Sequence, residues 1–181
     1  MSARRFRFPL AVIGTAAATL AVAGERHYGE KGSKVDITYD SDQWEASEVV
    51  GNPYFTCMAE DCSTATCMVV AAVSPEFAEW PRNFDKASLD ALTRVFLNEQ
   101  KSGHADAEVV QPTTLAMLGG RETLVTIIAT KSGGARWLSP RYFFQDASGP
   151  RLVICEGDDG SVSASRERMD ALVGAIKFKP Q

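Results

Sequence analysis

Four cysteines are the residues whose type and spacing most invite chemistry. Cys57, Cys62 and Cys67 lie in "CMAEDCSTATC", with four residues between successive members, and Cys155 follows in "LVIC". A thiolate is a metal ligand and a nucleophile. Zinc sites usually hold at least one pair separated by two residues, and plant-type iron–sulfur runs read C-x4-C-x2-C, so the spacing fits neither. A C-x-x-C redox pair is absent, and no metal is expected. The cysteines read instead as two disulfides. If a hairpin tip centres on Cys62, Cys57 and Cys67 face each other and Cys62 is left to reach Cys155. The other option pairs Cys57 or Cys62 locally and joins Cys67 to Cys155, both strand residues. A free, buried Cys155 is the remaining reading. Three connectivities exist, and the sequence does not choose among them.

The other reactive types are sparse. His27 and His104 stand outside any nucleophile motif, and there is no G-x-S-x-G, H-E-x-x-H or P-loop pattern. The acids of "DSD" and "EGDDGS" lack calcium-loop spacing and suit turns. No catalytic residue and no cofactor is therefore expected. A surface for a partner or an apolar ligand has better candidates. Phe77, Trp80 and Phe84 in "PEFAEWPRNF" form one set, and Trp137 and Tyr142 in "RWLSPRYFF" another, with core packing as the alternative for each. Pro140 lacks an N–H, which predicts an edge or bulged strand there.

Residues 1–23 read as a secretory signal peptide. Arg4, Arg5 and Arg7 precede an apolar run, and Ala21-Val22-Ala23 places small residues before a cleavage point at Gly24. The run is short for a membrane span, so an uncleaved anchor is the weaker alternative. The whole chain carries a formal charge of −4; these 23 residues hold three arginines and no acid, so the remainder carries −7. An acidic surface repels phosphate backbones and excludes nucleic acid as an expected partner. A flexible segment is expected at 24–32 and a single domain over 33–181.

The elements that must position these residues follow from periodicity. Residues 33–39 alternate as a strand, a second extended stretch runs over 45–50, and the cysteine hairpin has arms at 54–58 and 65–74. Leu89, Leu92, Val95 and Phe96 recur at helical spacing within 85–101. Four strands, near 107–118, 122–131, 136–145 and 151–156, are joined by the short turns "GGR", "KSGGA" and "DASGP", which suit antiparallel pairs. A last helix spans 163–175. In "ETLVTIIAT", Leu124 and Ile128 point one way and Val125, Ile127 and Ala129 the other, so both faces of the sheet need cover. The reading is α+β: a three-layer α/β/α sandwich with a mainly antiparallel sheet and two main helices.

This order of parts resembles the PsbP-like/Mog1-like superfamily. The match lies in "ITYDSDQW", the amphipathic first helix, "MLGGRETLVTIIAT" and the closing "MDALVGAIKF", and covers most of residues 33–178. The resemblance implies a non-catalytic accessory or binding domain and supplies no active-site motif. With the signal pattern, it leads to an expected periplasmic or secreted domain. Its expected partner is a protein complex or a small ligand in the envelope, with membrane contact only through an uncleaved N-terminus. The alternative class is an envelope thiol–disulfide or hydrolytic enzyme using the cysteine hairpin or His104.

Overall fold

The computed structural model describes residues 24–29, 35–70, 81, 83–146 and 149–178. One antiparallel sheet comprises β3 (Trp44–Val49), β4 (Asn52–Cys57), β5 (Thr66–Val70), β6 (Glu108–Leu118), β7 (Arg121–Ser132), β8 (Ala135–Asp146) and β9 (Gly149–Asp158). Its order is β3-β4-β5-β9-β8-β7-β6. Three short strands, β1 (Glu25–Tyr28), β2 (Val35–Asp40) and β10 (Ile176–Phe178), form a second sheet in the order β1-β2-β10. The helices are α1 (Lys86–Gly103) and α2 (Asp159–Ala175).

The two-sided apolar pattern of β7 dictates the layering. Leu124 and Ile128 join Leu92 and Phe96 of α1, with Phe143 and Leu152, in one core. Val125 and Ala129, with Ile127 packed against them, face the opposite core of Val162, Met169, Leu172 and Val173 from α2. Both faces of the large sheet thus remove apolar area from water, and the expected α/β/α sandwich with its α+β class is the observed architecture. The small sheet shares the α2 side, where Tyr28 and Tyr39 meet Phe55 edge-on at centroid distances of 6.0 and 5.4 Å.

Local chemistry sets the helix ends. Asp85 caps α1 by accepting the Ser88 N–H at 2.8 Å. Asp158 does the same for α2 through the Ser161 N–H at 2.9 Å, so this helix begins earlier than the expected residue 163. Edge strand β6 shifts register twice around Gln111, beside Pro112. There Thr113 is buried and bonds Thr93 of α1 at 2.8 Å and Thr126 of β7 at 2.7 Å, which ties the edge to the helix.

Two expectations change. The segment expected to be flexible at 24–32 contains β1, which pairs with β2 from Glu25↔Asp40 to Tyr28↔Ile37. Pro140 does not mark an edge: β8 is interior, between β7 and β9. Its ladder to β9 passes from Leu138↔Gly157 to Arg141↔Ile154 without pairing Ser139 and Pro140. The proline therefore costs the sheet a local gap in one ladder, not a strand position.

The "GGR" turn joins β6 to β7 and docks on the end of α2. Gly119 adopts φ +57°, and a Cβ there would lie 2.1 Å from the Gly174 carbonyl oxygen. Arg121 then donates from Nη1 to the Ile176 carbonyl at 3.0 Å and from Nη2 to the Val173 carbonyl at 2.9 Å. The Val173 carbonyl also accepts the Ile176 N–H that closes the helix, so Arg121 adds a second donor at this end, and a cation suits the C-terminal pole of the helix dipole. The guanidinium lies 3.6 Å from the Phe144 ring centroid. Gly119→Ala is expected to destabilise the fold by about 3 kcal/mol, since both conformation and space oppose it. Gly120→Ala, at φ +77° with open space around it, should cost only the left-handed conformational term of about 1 kcal/mol. Urea midpoints of the two variants check the difference.

Candidate functional site

The cysteines form two disulfides, Cys57–Cys62 and Cys67–Cys155. Cys67 and Cys155 are direct neighbours across β5 and β9, with Cα atoms 3.9 Å apart. Cys57 lies opposite Trp44 of β3 and Cys67 opposite Phe55, so the two arms of the hairpin never bring Cys57 to Cys67. A short 3-10 turn at Glu60–Cys62 curls Cys62 back to Cys57 instead. No described cysteine is free. The four residues are at most 3% exposed, which denies an attacking thiolate access to the sulfurs.

The cysteine turn is bolted to α2. The Asp158 carboxylate accepts from the Thr64 hydroxyl and from Ser161 Oγ at 2.8 Å, and the Asp158 N–H donates to Thr64 Oγ1 at 3.0 Å. These donors, Thr64 first, hold the Asp158 carboxyl down at about 2, below its ordinary 3.8. Gly157 lets the backbone of Thr64 and Ala65 pass, since a Cβ would meet both at 3.0 Å. Arg168 adds a fork onto Asp61, with nitrogen–oxygen distances of 2.9 and 3.2 Å.

The aromatic candidates separate. Phe77 and Trp80 lie outside the described residues. Phe84 packs against the α1-side core. Trp137 is half-buried near the start of β8, opposite Thr130 and Asp158. Tyr142 is fully buried and cannot face a partner; its hydroxyl donates to Asp170 at 2.8 Å. Burial pushes its pKa up, with the Asp170 carboxylate adding to the rise. His104 ends α1 and is exposed, its N–H donating to the Gln100 carbonyl. His27 Nε2 lies 2.8 Å from Asp36 across β1 and β2. Among the described residues no group of three or more His, Cys, Asp or Glu could hold a metal.

Two clefts were not foreseen. The larger, about 400 Å³, lies between the small sheet and α2, lined by Gly24, Asp40, Gln43, Trp44, Arg168 and Leu172 among others. Gly24 has φ +107°, its carbonyl accepts the Ser41 N–H, and a Cβ on it would lie 2.8 Å from Asp40 Oδ1 and 3.0 Å from Asp42 Oδ2. The smaller cleft, about 250 Å³, opens beside the C-terminal end of α1. Its floor holds Tyr54, Thr66, Met68, Ser139, Arg141, Ile154 and Glu156. Arg141 pairs with Glu99 and Gln100 of α1. The sequence signal for it was present: Arg141 falls between Ser139 and Phe143 on a face that the helix covers.

Two outcomes follow from these bonds. Replacing both Cys67 and Cys155 by alanine should cost roughly 4–5 kcal/mol, because the bond closes a span of 88 residues. The same change at Cys57 and Cys62, separated by five, should cost about 2 kcal/mol. Denaturant unfolding of each double variant reads both. Asp158 contributes stability only while ionised, so its share is full above its unfolded pKa and is lost as pH falls through about 2. Unfolding midpoints of the parent should therefore fall between about pH 4 and 2, and Asp158→Asn should flatten that part of the curve.

No protein-family model matches this chain, and no curated protein matches it. Solved structures do match in fold. The solution structure of cyanobacterial PsbP (CyanoP) from Synechocystis sp. PCC 6803 superposes with a TM-score of 0.59 at 10% identity, over 91% of this chain and 98% of that one. The Saccharomyces cerevisiae Ran-binding protein Mog1p gives 0.50 at 9% identity, over 85% and 95%. LpqN of Mycobacterium tuberculosis, described as involved in cell envelope biogenesis, gives 0.50 at 10% identity, over 86% and 91%. The chain has a PsbP/Mog1-like fold.

Proposed function

We propose that this chain is an exported, non-catalytic binding or accessory domain of a bacterial cell envelope, which docks on a protein complex or holds a small ligand. The observation that carries the reading is a PsbP/Mog1-like fold closed by two buried disulfides. Disulfides persist in oxidising compartments, which supports a periplasmic or secreted setting. The likeness to a Ran-binding protein and to an envelope-biogenesis protein supports binding over catalysis, as analogy of fold. Buried sulfurs speak against a thiol–disulfide enzyme.

The surroundings of Gly24 support cleavage after Ala23. An α-ammonium created there would lie beside the carboxylates of Asp40 and Asp42, where an added Cβ would already touch both.

Tagging the chain after Gln181, extracting the envelope gently and weighing each peak of a sizing column tests the reading. The expected result is a mass that begins at Gly24, in the envelope fraction, co-eluting with a stoichiometric protein or carrying a small molecule. A full-length chain in the cytosolic fraction would overturn export. Elution alone and empty would overturn the stable-complex form.

A further inference from the structure

The smaller cleft has an ordered floor. Strand pairing sets Arg141 of β8 beside Ile154 of β9, Ile154 beside Met68 of β5, and Met68 beside Tyr54 of β4. A guanidinium thus heads an apolar row that ends in a phenol. A second row runs alongside, because Ser139 lies two residues before Arg141 on the same face and Glu156 pairs with Thr66. Both rows line the cleft, with Gln100 of α1 as its wall.

The ion pair at the head of the row is lopsided. The Arg141 side chain is 4% exposed and its Glu99 partner 40%. With the pair formed the arginine is shielded from water, whereas Glu99 is partly hydrated and can swing out of the pair. Arg141 is also under-used. One terminal nitrogen meets Glu99, the other meets Gln100, and Nε is buried with no partner. A carboxylate set fork-on would satisfy two guanidinium nitrogens at once.

We propose that this cleft binds a small organic monocarboxylate with an apolar body, whose carboxylate takes the place of Glu99 on Arg141. The body would lie over Ile154 and Met68, two strand spacings or about 10 Å from the guanidinium. At about 250 Å³ the cleft suits an aryl or medium-chain acid and is too small for a drug-sized molecule. Glu156 on the floor repels a second negative charge, so dicarboxylates and phosphate are disfavoured. The proposal deepens the small-ligand branch of the function above. Its test uses purified protein, so it stands or falls apart from export and from any protein partner.

Titrating the folded domain with 3-phenylpropionate and with hexanoate, by calorimetry, is the measurement. Wild type should show saturable binding. Glu99→Gln removes the competing carboxylate and should tighten it about tenfold, whereas 3-phenylpropanol and succinate should bind about tenfold more weakly than the monocarboxylates. Met68→Trp fills the floor at a half-exposed position and should abolish binding; it keeps the test decisive if Glu99→Gln fails to fold. Absence of saturable binding in both wild type and Glu99→Gln would overturn the proposal. So would equal affinity for the alcohol, or undiminished binding in Met68→Trp.

Discussion

Backbone touches backbone where the β6–β7 turn meets the end of α2, and much of the fold hangs on that contact. Gly119 and Gly174 approach closely enough that neither tolerates a Cβ without movement. Arg121 then spans the last carbonyls of the helix and covers Phe144. Fixing the end of α2 fixes β10, which begins at Ile176, the next residue. β10 pairs with β2 through Ile176↔Ile37, and β2 carries β1. The whole small sheet, and with it the cleft at Gly24 and Trp44, is therefore positioned by a turn on the far sheet. In the "GGR" turn glycine permits the close approach, and the arginine forks onto two carbonyls.

The opposite end of α2 is held by different physics. Its N-terminus offers free N–H groups, and Asp158 answers them while also gripping Thr64 of the cysteine turn. Arg168 grips Asp61 of the same turn. The two disulfides act on either side of this junction. Cys67–Cys155 fastens β5 to β9 within the sheet, and Cys57–Cys62 shapes the turn that reaches the helix. Covalent and polar restraints thus converge on one corner.

The layered plan was legible because hydrophobic alternation reports burial directly. Both faces of residues 124–129 are apolar, and the structure covers both. The strand at Glu25–Tyr28 was illegible for the same reason: "ERHY" is polar and mostly exposed, held by pairing with β2 and by Tyr28 on Phe55. Pro140 misled because its missing N–H argues for an edge, whereas an interior strand can absorb one gap in one ladder. Disulfide connectivity was illegible in principle. It depends on register, which pairs Cys67 with Cys155 and leaves Cys57 beside Trp44. Tyr142 illustrates a further limit: an aromatic in a two-faced strand looks the same in sequence whether it meets a partner or the underside of α2.

The two helices do not cover equal areas, and this difference explains where polar groups can be buried. α2 and the small sheet together close one face from β4 to β7. On the other face α1 packs chiefly over β6 and β7, and Tyr54 of β4, Met68 of β5 and Ile154 of β9 stay half-exposed beyond it. Arg141 sits on that boundary. Phe96 shields one side of its guanidinium at 5.6 Å, and Glu99 and Gln100 meet it from the last turns of the helix. A buried cation without a partner carries a large desolvation cost, so a carboxylate must be supplied at the place where helical cover ends. Glu99 supplies it from a position that water also reaches. The fold thereby keeps a buried charge whose counter-ion is exchangeable, beside a shallow apolar floor, and that pairing follows from the short reach of α1 across a wide sheet.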